Sequence, residues 1–261
     1  MKFVIRDDDL NYFSSPADIE RWYSDIFAAG IPVGFSTIPF VRPESDVYTG
    51  GEAGRESREY PVGENRELVD YAQRTPLLEI LQHGTTHETR DGAFEYARRV
   101  PRGDALRGRQ ELERAFARPV RIFVPPHDWI GRSGVLAVEA AGMDIIRGRG
   151  AGLKVFIARF AYLRVFAIML FFKLSYALRG KTVPAYPFIL DFGKHREACS
   201  YRLEDPDVFA GLEDAHGQGG VFVVVTHLHF YTEEKKARLL ALVRRARELD
   251  AEFVPPAALF A

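Results

Sequence analysis

The chain has 261 residues, with 35 Lys and Arg against 36 Asp and Glu, and 47% of its residues are hydrophobic. That length and apolar content exclude a disordered chain and leave ample material for a core. A net charge of −1 excludes a generally basic nucleic-acid binder, and the single cysteine, Cys199, excludes an internal disulfide or a Cys-rich zinc module.

In chain order the sequence alternates strand with helix. Residues 2–6 form an apolar-rich run that meets Asp7, Asp8 and Asp9. Acids that early leave no space for the apolar core of a signal peptide, so a cytoplasmic protein is expected. Ser14-Ser15-Pro16 opens a helix that Gly30 closes, because proline suits a first turn and glycine a helix end. Residues 32–38 read as a second strand, and 39–64, rich in Pro, Gly and Glu, as a long loop. Helices near 65–74, 104–117 and 132–141 lead to strands at 77–82, 120–124 and 144–147. An apolar, basic stretch near 151–180 precedes a strand at 185–192 and a helix near 206–216. A strand at 221–226, a helix near 232–249 and a strand at 252–254 complete the chain. This alternation implies parallel βαβ units, and seven or eight of them imply a barrel or a doubly wound sheet. No linker composition interrupts the pattern, so residues 1–261 read as one domain.

In parallel α/β folds the chemistry collects where strands end. Here the first strand runs into three aspartates, the third into His83-Gly84-Thr85-Thr86-His87, the fourth into Pro125-Pro126-His127-Asp128-Trp129, and a late strand into His227-Leu228-His229. Five of the seven histidines therefore sit at strand ends, which one His after a strand would not explain. Two histidines and a carboxylate form a metal site with positions left open for water and substrate. Additional carboxylate and imidazole groups supply a general base and a general acid.

Asp-Asp after strand one, His-x-x-x-His after strand three, a Pro-Pro loop and a late strand ending in His resemble the polysaccharide deacetylase pattern (NodB homology, carbohydrate esterase family 4) across residues 7–229. The resemblance implies an α/β fold, a distorted (β/α)7 barrel with a basic apolar helical insertion near 151–180. It also implies metal-dependent hydrolysis of an N-acyl group, usually N-acetyl, on an amino sugar. Carried over residue by residue, Asp7 is the general base, and Asp8, His83 and His87 hold a divalent metal, most often Zn2+ in this family. His227 or His229 protonates the leaving amine, with His227 closer to the strand end. Pro126, His127 and Trp129 line the substrate.

Three positions depart from that pattern. Asp9 stands where the family has glycine, so a register shifted by one residue would make Asp8 the base and Asp9 the ligand. Val124 stands where an arginine before the prolines orients the base, which should leave the base's pKa less depressed. His127 occupies a place that is often aromatic.

The apolar stretch is also unusual in charge. Between Asp144 and Asp191 there is no acid, while eight of the 35 bases fall there, so this segment carries +8 and the rest of the chain −9. Its longest uncharged run, 165–172, is too short for a span as written. Residues 153–178 read either as a core or oligomer-contact helix or as an element resting on an anionic membrane surface. The second reading makes the protein peripheral at the inner face of the membrane and points to a polyprenyl-linked glycan intermediate as substrate. A metal with an acid–base pair would equally serve a hydrolase of a non-sugar amide or phosphoester. A non-catalytic carbohydrate- or lipid-binding relative is a third reading, against which the spare base and acid argue. His195 and His216 lie outside these motifs and are expected at the surface.

Overall fold

A computed structural model describes residues 1–42, 58–90, 93–149, 155, 157–181 and 185–261. Part of the expected loop at 39–64 and part of the 151–180 stretch lie outside the described residues.

Seven parallel strands close into a ring, each in chain order beside the next. They are β1 (Lys2–Leu10), β2 (Val33–Thr37), β3 (Leu78–His83), β4 (Ile122–Val124), β5 (Asp144–Gly148), β6 (Arg196–Arg202) and β7 (Val221–His227). β7 pairs with β1 over seven residues, Lys2 opposite Val221 through Asp8 opposite His227, and β5 pairs with β6. The ring is uneven: β3 meets β4 only at Gln82–Phe123 and His83–Val124, and β6 meets β7 only at Tyr201–Val224 and Arg202–Val225. Helices α1 (Pro16–Ala28), α2 (Arg66–Arg74), α3 (Asp104–Phe116), α4 (Arg132–Ala140), α5 (Phe160–Leu178), α6 (Val208–Gly217) and α7 (Glu233–Glu248) lie outside. The first is set by Ser15, whose side chain accepts the Asp18 N–H, and by Pro16 in the first turn.

Strand alternation sorts the side chains into two cores. Val4, Leu81, Val124, Ile146, Ala198 and Val223 fill the barrel, and Leu259 and Phe260 of the closing segment plug its amino end. Phe3, Ile5, Phe35, Phe222 and Val224 point outward to the helices. Gly34 is required where the plug crosses β2, since a Cβ there would stand 2.3 Å from Pro256.

Two expectations fail. The sixth barrel strand is Arg196–Arg202, not 185–192, of which only Leu190–Asp191 pairs, antiparallel to β6. The alternation of β6 is broken by Glu197, which is buried against Arg147 and His195. His195 is likewise no surface residue: its ring lies between Glu139 (3.1 Å) and Glu197 (2.9 Å) at 3% exposure. Those two carboxylates satisfy both ring nitrogens, which is what makes its burial tolerable.

Candidate metal and acid–base site

The carboxyl ends of β1, β3, β4 and β7 bring the expected residues to one mouth of the barrel, and the three aspartates part company there. Val4 and Arg6 point into the barrel, so Asp8 does too; Phe3 and Ile5 point outward, so Asp7 does too. Asp7 accepts hydrogen bonds from the Tyr23 hydroxyl of α1, from Thr226 Oγ1 at 2.8 Å and from the Leu228 N–H at 3.0 Å. Burial pushes its carboxyl up to about 8. Asp7, expected as the base, is therefore a buried tie between β1, α1 and β7.

Asp8, expected as the ligand, is gripped on both oxygens. Arg6 Nη2 donates to Oδ2 at 2.7 Å and Ser36 Oγ to Oδ1 at 2.6 Å. Burial alone would raise its pKa, but the charge of Arg6, reinforced by His83 and His227, holds it below the usual carboxylate range. Arg6 also reaches Asp128 Oδ1 (3.3 Å) and the Ile146 carbonyl (3.3 Å). A cation in place of the one missing at Val124 is thus supplied from β1 itself and acts on Asp8, while Asp7, the base expected from the resemblance, has its pKa raised.

Asp9 breaks the alternation. It takes φ 74°, and the β1–β2 register shifts between Asp7 and Leu10, a bulge that turns its side chain to the mouth. Its Oδ1 lies 3.1 Å from His83 Nε2 and 3.5 Å from His87 Nε2, and the three ligand atoms all lie within 4.8 Å of one another. Nitrogen and oxygen ligands at about 2.0–2.1 Å from a tetrahedral metal stand roughly 3.4 Å apart, so this set fits one divalent ion. His83 Nδ1–H donates to the Val124 carbonyl at 3.1 Å, which fixes the ring with Nε2 toward Asp9. Burial opposes charge on Asp9, yet the His83 hydrogen bond and the His87 and His83 charges bring its pKa well below normal. Burial and the His83 charge push His87 down to about 3.

Glu95, which no motif in the chain marks, holds the histidine loop. It accepts the N–H groups of Thr85, Thr86 and His87 at 3.0, 2.8 and 3.1 Å and the Thr86 hydroxyl at 2.8 Å. Burial raises its pKa despite these bonds. Left-handed backbone at Asp9, His87, His127 and Asp128 concentrates strain around the same mouth.

His227 lies on the inward face of β7, directly opposite Asp8 in the β1 register. His229 is tied to the loop after β1, its ring Nε2 lying 3.1 Å from the Asp9 carbonyl and 3.4 Å from Asn11. His127 stacks on Phe94 at 4.0 Å and lies 4.8 Å from the His87 ring. Burial lowers its pKa. Trp129, 46% exposed, joins His127, Arg149, Ser200 and Arg202 around a cleft of about 380 Å³. Pro126 is buried, and a Cβ on Gly84 would stand 2.5 Å from it, so it shapes the loop from below.

No family model matches this sequence, and no curated protein does. Solved structures do. A putative polysaccharide deacetylase from Mycobacterium smegmatis matches at 14% identity and TM-score 0.56, over 98% of this chain and 87% of that one. A peptidoglycan N-acetylglucosamine deacetylase matches at 10% identity and TM-score 0.52, over 99% of this chain and 87% of that one. A carbohydrate esterase family 4 pseudoenzyme from Bacillus anthracis matches at 11% identity and TM-score 0.53, over 100% of this chain and 65% of that one. The closed seven-stranded barrel of this chain is the fold of the carbohydrate esterase family 4 polysaccharide deacetylases.

Proposed function

We propose that this protein is a metal-dependent carbohydrate deacetylase that hydrolyses an N-acyl group, in the first instance N-acetyl, from an amino sugar. The observation that carries the reading is one arrangement: Asp9, His83 and His87 at ligand spacing, beside a carboxylate, Asp8, that Arg6 keeps ionised. The fold by itself does not decide for catalysis, since a pseudoenzyme shares it.

Asp9, His83 and His87 would hold the ion, and a set of two imidazoles and one carboxylate suits zinc. Such an ion supplies a lowered water pKa and polarisation of the acyl carbonyl. Asp8 takes the proton from the attacking water; each of its oxygens keeps a lone pair beyond those used by Arg6 and Ser36. Arg6, itself anchored by Asp128, fixes the direction of that carboxylate. His227 protonates the departing amine, which cannot leave as an anion. His229 positions the bulged end of β1 that carries Asp9. His127 and Trp129 border the sugar on the cleft side. The base and ligand are thus assigned one residue later than the family pattern counts them.

The test combines metal analysis with acetate release from N-acetylated amino-sugar oligomers. Asp9→Ala and His83→Ala should each remove bound zinc and turnover. Purified protein that takes up no divalent metal, with turnover absent or indifferent to both changes, would sink the proposal.

A further inference from the structure

The helix α5 is apolar on the side that faces away from the protein. Tyr162, Val165, Met169 and Tyr176 are buried, Tyr162 against Phe192 and Tyr176 accepting a hydrogen bond from Gln218 at 2.8 Å. On the opposite side Phe160 is 82% exposed, Phe171 76% and Leu178 89%, and Leu163, Leu170 and Leu174 are each more than half exposed. By length and composition the helix could cross a bilayer, yet one flank is already packed on protein. At 100° per residue, Leu163, Ala167, Leu170, Phe171, Leu174 and Leu178 fall in one stripe roughly 100° wide. Lys173 borders that stripe on one side and Arg164 on the other, and Arg179 and Lys181 follow the carboxyl end. Both ends of α5 are fixed near the amino ends of the strands, by Arg159 on Glu139, Arg164 on Asp191 and Lys181 on Asp214.

We infer that the outer face of α5 docks the protein on an anionic lipid surface, lying in the plane of the interface. The apolar stripe enters the headgroup boundary, while Lys173 extends from one border to lipid phosphates and Arg164, on the other, exchanges its exposed bond to Asp191 for one to a phosphate. The charge favours this occupant over a second copy. The helix itself contains no acid, so a second copy would offer Lys173 no carboxylate from its own α5. The inference is independent of the catalytic reading, because its test measures binding and not turnover.

The intact protein is mixed with vesicles of three parts phosphatidylcholine to one part phosphatidylglycerol, and with pure phosphatidylcholine vesicles, and sedimented. Binding to the anionic vesicles is expected, with at least tenfold weaker binding to the neutral ones. Phe171→Glu with Leu174→Glu should abolish it while leaving the far-ultraviolet spectrum unchanged. Arg164→Gln with Lys173→Gln should weaken it about tenfold or more, from the attraction each base contributes near such a surface. Protein that stays in the supernatant overturns the proposal, as does equal binding to both vesicle types. A dimer in solution that the Phe171 and Leu174 changes dissolve, without vesicle binding, assigns the face to a second copy and overturns it as well.

Discussion

Replacing Asp7 and Asp8 separately by asparagine should give opposite results, and the hydrogen bonds show why. In Asp8→Asn the amide still reaches Arg6 and Ser36, but it cannot accept a proton from water. General-base catalysis contributes typically 10²–10⁴-fold, so kcat should fall by about that factor, roughly 3–5 kcal/mol in the barrier. Arg6 is fully buried and would retain only Asp128 as a charged partner, so folding stability should fall by about 2 kcal/mol. In Asp7→Asn the amide oxygen still accepts the Leu228 N–H, and its NH2 can donate to the hydroxyls of Tyr23 and Thr226, which rotate freely. Stability should change by no more than about 1 kcal/mol, and turnover should stay within a few fold of the parent. The assay is acetate release at saturating substrate, with zinc content measured on the same preparations. Asp7→Asn with full zinc, an unchanged melting temperature and lost turnover would put the base at Asp7 and refute the assignment.

The other expectations concern supporting residues. Glu95→Ala would leave three N–H groups of the histidine loop without their acceptor. Zinc affinity should then fall 10–100-fold by calorimetric titration, and an unchanged affinity would show that the loop holds itself. Arg6→Met should keep zinc but lower kcat and destabilise by about 3–5 kcal/mol, because Asp8 would be buried without its partner. Burial pushes Glu79 up to about 7 at the amino end of the barrel, where it accepts the Ala257 N–H. Its folded pKa exceeds its unfolded value of 4.5, so its contribution is complete below about pH 4.5 and lost as pH rises through 7. The loss amounts to about 3 kcal/mol, and Glu79→Gln should remove that part of the slope in urea midpoints taken at pH 4.5 and 8. A slope that survives the substitution would place its origin elsewhere.

The strand ends were legible because apolar runs stop abruptly at His, Asp and Pro, and that order along the chain carried the barrel as well. The assignment among Asp7, Asp8 and Asp9 was not. Period-two alternation from Val4 and Phe3 does place Asp8 inward and Asp7 outward, but it would also send Asp9 outward. Only the bulge, with φ 74°, turns Asp9 toward His83 and His87. Arg6 could be found by the same alternation, as a charge on an inward position two residues before Asp8. Glu95 carries no local signal, because its role lies in backbone groups eight to ten residues earlier. β6 was hidden for a related reason: its buried Glu197 reads as surface until Arg147 and His195 are seen beside it.

The closure of the barrel places the strand that carries all three aspartates next to the last of the seven barrel strands to be made. Lys2 pairs with Val221 on that edge, while on the other edge, ahead of β2, the Glu252 N–H donates to the Met1 carbonyl, so the partner of β1 on the β7 edge lies more than two hundred residues downstream. At ordinary rates of synthesis, about 5–20 residues per second, β1 waits on the order of ten to forty seconds with that edge unpaired. The apolar outer face of α5 emerges within the same interval. Nascent chains of this protein should therefore depend on chaperones until residue 227 is clear of the ribosome, and the site can assemble only then.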